Sequence, residues 1–196
     1  MKRLAAILTI LLTGASGPRA GEKPAATVKD FALADAKGTK HTTDTWKGKT
    51  AVVLVFLGTE CPVSNGYSPE YRRLVGAYAG KGVLFYGVHP DPDVTAEVAA
   101  KHAAEYRLPF PVLLDPTQRV AKQAGVTVVP EAVVLSPKGQ VLYRGRIDDL
   151  YTPDGKRREE PQTRDLEAAL RAVLAGKSPP VAQTKAFGCP LPLPIK

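Results

Sequence analysis

Little in this chain favours metal chemistry or a membrane span. Its 196 residues include two Cys, three His, one Trp and one Met, and the Met is Met1. A mature form cut after a leader would therefore have no thioether ligand. No internal repeat is visible. No long basic stripe with interleaved aromatics occurs, so nucleic acid is not an expected partner. The apolar run near the N-terminus is shorter than the roughly 20 residues that a bilayer requires. Hydrophobic residues make up 44% and charged residues 23%. That balance excludes a coiled coil, a polytopic membrane protein and a wholly disordered chain. The net charge of +8 supports solubility and weak attraction to anions.

Lys2 and Arg3 open the chain, an apolar run follows from Leu4 to Leu12, and small residues come next at Gly14, Ala15, Ser16 and Gly17. That order is the one export requires, and it predicts a signal peptide over 1–20. The run has no Cys after it, which argues against a lipid anchor. The mature protein is expected to be periplasmic or secreted, where two cysteines can pair or do redox work.

Beyond the leader, Ala26 to Leu33 resembles a strand. Ala51 to Leu57 is a continuous apolar run rich in β-branched residues, the pattern of a strand covered on both faces. A helix is expected over Ser68 to Tyr78, a second buried strand over Val83 to Val88, and a helix capped by Asp93-Val94-Thr95 and running to about Tyr106. Pro111 to Leu114 reads as a short strand and Arg119 to Ala124 as a short helix stopped by Gly125. Glu131 to Leu135 and Gln140 to Arg146 form a hairpin around Ser136-Pro137-Lys138-Gly139. Asp148 to Gln162 reads as a charged, exposed insertion.

The last helix, from Thr163 to Gly176, places Leu166, Ala169, Leu170, Val173 and Leu174 on one face. Residues 177–196 are a tail carrying Pro179, Pro180, Pro190, Pro192 and Pro194, expected to lie extended over the surface. The alternation of strands and helices followed by a hairpin predicts a three-layer α/β/α sandwich with a mixed central sheet over 21–176.

Candidate chemistry concentrates in Phe56-Leu57-Gly58-Thr59-Glu60-Cys61-Pro62-Val63-Ser64. Cys61 falls just past the carboxyl end of a buried strand, at the start of a helix. Unpaired N–H groups and the helix dipole favour a thiolate there, and a thiolate is the nucleophile in disulfide and peroxide chemistry. Pro62 suits the first helical position. Ser64, one turn on, is placed to donate to the sulfur, whereas the Glu60 carboxylate opposes a thiolate.

This segment resembles the active-site region of the thioredoxin-like superfamily, in particular exported thiol-disulfide reductases with F-W-A-T-W-C-P-P-C. Phe56, Thr59, Cys61 and Pro62 match, and Pro69 matches a helix-kinking proline. Val129-Pro130 resembles the cis-proline loop that lies against the active-site sulfur in that fold. The stretch from Val88 to Gly125 is similar to the insertion of peroxiredoxins. T-E-C-P-V-S-N, taken with the tail's T-K-A-F-G-C-P, looks like a bacterial redoxin-domain group.

The resemblance implies a thioredoxin-like fold, Cys61 as nucleophile, Thr59, Ser64 and Pro130 around it, and no cofactor or metal. Its partners would be protein thiols and disulfides or small peroxides. Three departures stand out. Ser64 replaces the second Cys of C-x-x-C. Val55 stands where thioredoxins keep a buried acid. The peroxiredoxin pattern P-x-x-x-T-x-x-C is not met, because Thr59 is two residues before Cys61 and Leu54 takes the Pro position. Arg144 and Arg146 are the candidates for a peroxidase arginine.

Cys189, in Phe187-Gly188-Cys189-Pro190, is open to two readings. In one it is a resolving thiol that attacks oxidised Cys61. In the other a permanent Cys61–Cys189 staple ties the tail to a non-catalytic binding or metal-handling module. Such a staple closes a loop of about 128 residues and stabilises by up to about 5 kcal/mol in the chain-entropy model. His89 reads as a loop histidine, with a Cys–His copper site as the minority reading. His102 is expected on a helix face.

Overall fold

The structure is a computed structural model and describes residues 26–191. The expected signal peptide at 1–20 lies outside them. In chain order, β1 (Ala32–Ala34) and β2 (Lys40–Thr42) form an antiparallel hairpin, and a 3-10 turn follows at Thr43–Trp46. Then come β3 (Ala51–Phe56), α1 (Pro62–Gly66), α2 (Ser68–Tyr78), β4 (Val83–His89), α3 (Ala96–Glu105) and β5 (Val112–Leu114). The chain continues through α4 (Arg119–Ala124), β6 (Val128–Val129), β7 (Glu131–Leu135), β8 (Val141–Gly145), α5 (Asp165–Leu174) and β9 (Cys189–Pro190).

Five strands form the central sheet in the order β5-β4-β3-β7-β8. β3, β4 and β5 run parallel, while β7 and β8 join antiparallel. The two kinds of connection account for this. A helix crosses between β3 and β4 and another between β4 and β5, whereas a tight turn joins β7 to β8. This is the mixed three-layer sandwich that the strand–helix order implies.

β3 shows why its residues are apolar without alternation. Val53 and Val55 pack under α2 and α5 with Tyr71, Leu74, Leu166 and Leu170. Val52, Leu54 and Phe56 face the opposite layer of Trp46, Phe31 and α4. Successive side chains point to opposite faces, so a strand with helices on both sides needs both parities apolar. Each fully buried aliphatic contributes about 1.5–3 kcal/mol relative to exposure. α5 buries the expected face, Leu166, Ala169, Leu170 and Val173.

Four expectations are corrected. The strand read from Ala26 begins only at Ala32; the stretch before it rests against the β7–β8 turn, where the Val28 N–H donates to the Gly139 carbonyl at 2.9 Å. The insertion from Asp148 is not wholly exposed. Asp148 and Asp149 are buried because their charges have partners. The Tyr67 hydroxyl donates to Asp148 Oδ1 at 2.7 Å, and the Gln162 and Thr163 N–H groups donate to Asp149 Oδ1 at 2.7 and 2.9 Å. The tail is extended but not merely laid on the surface. It bonds to the β8 edge through Arg144, then forms β9 on β6. His89 is no loop residue but the last residue of β4, fully buried.

Candidate active site

β3 and β4 end side by side, and the chain leaving β3 turns at Leu57–Glu60 into α1. Cys61 is the N-cap of α1, with extended backbone angles, and Pro62 follows at the first helical position. α1 lasts five residues before a break at Tyr67, after which α2 begins with Pro69 in its first turn. Pro69 cannot donate a backbone hydrogen bond, so an interruption just before it carries little further cost.

The Cys61 side chain is buried at 4% exposure, and its Sγ donates to the Val129 carbonyl oxygen at 3.3 Å. The Val129-Pro130 peptide is cis, and Pro130 is buried. β9 pairs antiparallel with β6, setting Cys189 opposite Val129 and Pro190 opposite Val128. Both cysteines are free thiols. Burial first, then the neighbouring Cys61 sulfur, push the Cys189 thiol up to about 11.

The two thiols line one cleft of about 680 Å³. Its apolar lining includes Leu57, Val94, Val129 and Leu191, and its carboxylates are Glu60, Asp91 and Asp93. Among the described residues no Lys, Arg or His lines it. Arg144 is engaged elsewhere, 3.5 Å from Glu131 and donating to the Ala124 and Gly125 carbonyls. Arg146 pairs with Asp165 at 2.7 Å. Neither candidate arginine belongs to the cleft.

Thr59 lines the cleft, and its carbonyl accepts from Asn65 Nδ2 at 2.9 Å. Ser64 is buried one turn below Cys61, but its hydroxyl does not take the expected place on the sulfur. Its Oγ accepts the Gly58 N–H at 3.3 Å, while the Cys61 thiol hydrogen goes to Val129. By accepting there, Ser64 satisfies a loop amide that would otherwise be left without a partner.

A brace that the sequence does not announce holds this loop from α3 and β4. His102 Nε2 lies 2.8 Å from Asn65 Oδ1, and Asn65 passes the contact on to Thr59. The His89 Nδ1–H donates to the Leu57 carbonyl at 3.1 Å; a carbonyl only accepts, which places the proton on Nδ1. The two imidazoles pack edge to face, 5.0 Å between centroids. Burial, then the neighbouring His102, push His89 down to about 4. Among the described residues no group of three or more His, Cys, Asp or Glu is placed to hold a metal ion.

The fold, with a thiol at the end of β3 facing a cis-proline loop, is that of the thioredoxin-like proteins. The chain belongs to the AhpC/TSA family, whose model matches residues 24–144. It is 30% identical over 116 residues to thiol-disulfide oxidoreductase ResA of Geobacillus thermodenitrificans, covering 59% of this chain and 64% of that protein. It is 29% identical over 121 residues to the chloroplastic peroxiredoxin Q of Triticum aestivum, covering 58% and 54%. The matched stretch thus spans under two thirds of these relatives' length.

A solved hypothetical protein from Sinorhizobium meliloti superimposes with a TM-score of 0.74 at 28% identity, covering 85% of this chain and 92% of that one. The peroxidoxin BcpB of Mycobacterium tuberculosis shares the fold at a TM-score of 0.57 and 24% identity, over 79% and 97%. The chain is a redoxin with thiol-disulfide oxidoreductases and peroxiredoxins among its relatives. No helix among the described residues is long and apolar enough to cross a membrane.

Proposed function

We propose that the protein is an exported thiol–disulfide oxidoreductase in which Cys61 is the nucleophile and Cys189 the resolving thiol. The observation that carries this reading is the placement of both free thiols in one cleft, with Cys189 in register opposite the residue whose carbonyl holds the Cys61 thiol. The Cys61 thiolate attacks one sulfur of a partner disulfide, forms a mixed disulfide and releases the first partner thiolate. Cys189, deprotonated, then attacks the Cys61 sulfur. A Cys61–Cys189 disulfide forms and the second partner thiol leaves. The partner gains two electrons and the protein loses two.

The other residues of the cleft have supporting roles in this reading. Pro130 presents the Val129 carbonyl, Ser64 holds the Gly58 amide, and Thr59 shapes the approach through its braced carbonyl. Small peroxides are the slower substrates. A peroxide needs its developing negative charge stabilised, and the cleft lining offers carboxylates rather than a guanidinium. Export rests on the charged start, the apolar run and the small residues of 1–20. The test of the reaction is to mix reduced protein with glutathione disulfide. Cys189→Ser should trap glutathione on Cys61. Reaction of Cys61→Ser at the wild-type rate would overturn the assignment.

A further inference from the structure

The backbone edge beside Cys61 is occupied by the chain's own tail. Val128 and Val129 take Pro190 and Cys189 as strand partners, and the Leu191 N–H donates to the Thr127 carbonyl at 3.2 Å. The approach leaves no room for a side chain at residue 188. A Cβ on Gly188 would press into the Val129 carbonyl oxygen and lie 3.0 Å from Pro130 Cδ. A second anchor holds the tail upstream. Thr184 Oγ1 accepts the Arg146 N–H at 3.0 Å and shares a hydrogen bond with the Tyr143 hydroxyl at 2.7 Å. The Thr184 N–H donates to the Arg144 carbonyl at 3.0 Å.

An extended polypeptide commonly docks by adding a strand to an open backbone edge. Here that edge is already paired. The Cys61 sulfur is buried and reached through a cleft of about 680 Å³, a volume within the range of small-molecule sites. We propose that β9 is a tethered stand-in for a substrate strand, which makes reduced Cys61 select small disulfides over polypeptide ones. Gly188 and Thr184 set that selectivity, because they determine how firmly the strand is seated. A polypeptide disulfide reacts only after the strand lifts, whereas a small disulfide enters with the strand in place. This inference rests on the reading of Cys61 as the exchange nucleophile.

The test measures the first step, mixed-disulfide formation by the reduced full-length protein. Glutathione disulfide is one substrate; the other is a disulfide-linked peptide dimer of about ten residues per chain, enough for one strand. Gly188→Ala pushes the strand off β6, and Thr184→Val loosens it from the upstream anchor without adding bulk near the cleft. Both should raise the peptide rate about tenfold, the effect of losing one or two hydrogen bonds. Thr184→Val should leave the glutathione rate within about twofold. Gly188→Ala also presses on the Val129 carbonyl that holds the Cys61 thiol and is scored on its peptide-to-glutathione rate ratio. Circular dichroism and melting confirm the fold of each variant, and Thr184→Val carries the test if Gly188→Ala does not fold. Unchanged peptide rates, or parallel increases with both substrates, would overturn the gate. Loss of the glutathione reaction in Cys61→Ser is scored separately. Its persistence would sink the underlying reading rather than the gate alone.

Discussion

The Cys61 thiol donates to the Val129 carbonyl oxygen across 3.3 Å. Val129 in turn stands opposite Cys189 in the β6–β9 ladder, so one residue sets the position of both sulfurs. Mild oxidation should therefore give an intramolecular Cys61–Cys189 disulfide. Peptide mapping under non-reducing conditions checks this. Only intermolecular dimers, or no loss of free thiol, would contradict it.

Cys189 should alkylate slowly until well above neutral pH, because burial and the Cys61 sulfur push it up to about 11. Replacing Cys61 by Ala removes the second cause and leaves the first. The pH midpoint for alkylation of Cys189 should then fall. An unchanged midpoint would mean that the two sulfurs do not communicate.

Asn65→Ala removes two contacts at once, the one to the Thr59 carbonyl and the one to His102. The expected loss is about 1–3 kcal/mol, with the imidazole left lacking an acceptor. Urea unfolding measures the stability, and the exchange rate with glutathione disulfide should fall as the Thr59 turn loosens. Wild-type values in both would remove the brace from the account.

His89 predicts a loss of stability in acid. It takes a proton near 6.5 when unfolded and near 4 when folded, so between those values the unfolded state binds more protons and stability rises with pH. Its contribution is full above about pH 6.5 and is lost as pH falls through about 4. The shift corresponds to about 3 kcal/mol. His102 acts in the same direction, while burial pushes Glu131 and Asp148 up and makes them act oppositely. His89→Asn isolates the histidine. Unfolding measured between pH 6.5 and 4 should show a shallower acid loss in the variant than in the wild type. Equal slopes would contradict the assignment.

Regular elements and the position of Cys61 are legible in the sequence where local pattern decides. The apolar run at β3 and the apolar face of α5 announce their structure and, for all of that face but the half-buried Leu174, their burial. Cys61 is legible from its place between an apolar run and Pro62, and Pro130 from the resemblance of Val129-Pro130 to the cis-proline loop of the thioredoxin-like fold. What is not legible depends on distant partners. β9 is two residues of a proline-rich tail, made a strand by its pairing with Val128 and Val129, which Gly188 permits by having no side chain against the Val129 carbonyl. Asp148 and Asp149 look like solvated charges until Tyr67 and the amides of Gln162 and Thr163 are seen to satisfy them. His89 and His102 are 13 residues apart in sequence, and their pairing arises from packing α3 against the end of β4. The Ser64 hydroxyl accepts the Gly58 N–H, a contact between residues six apart that no local pattern signals.

The reduction potential of the Cys61–Cys189 couple, measured by equilibration in glutathione buffers, tests the central claim most directly. A working exchange pair should lie between about −120 and −270 mV. A value below about −300 mV would mark a structural staple and contradict the assignment of Cys61 and Cys189 as a redox pair.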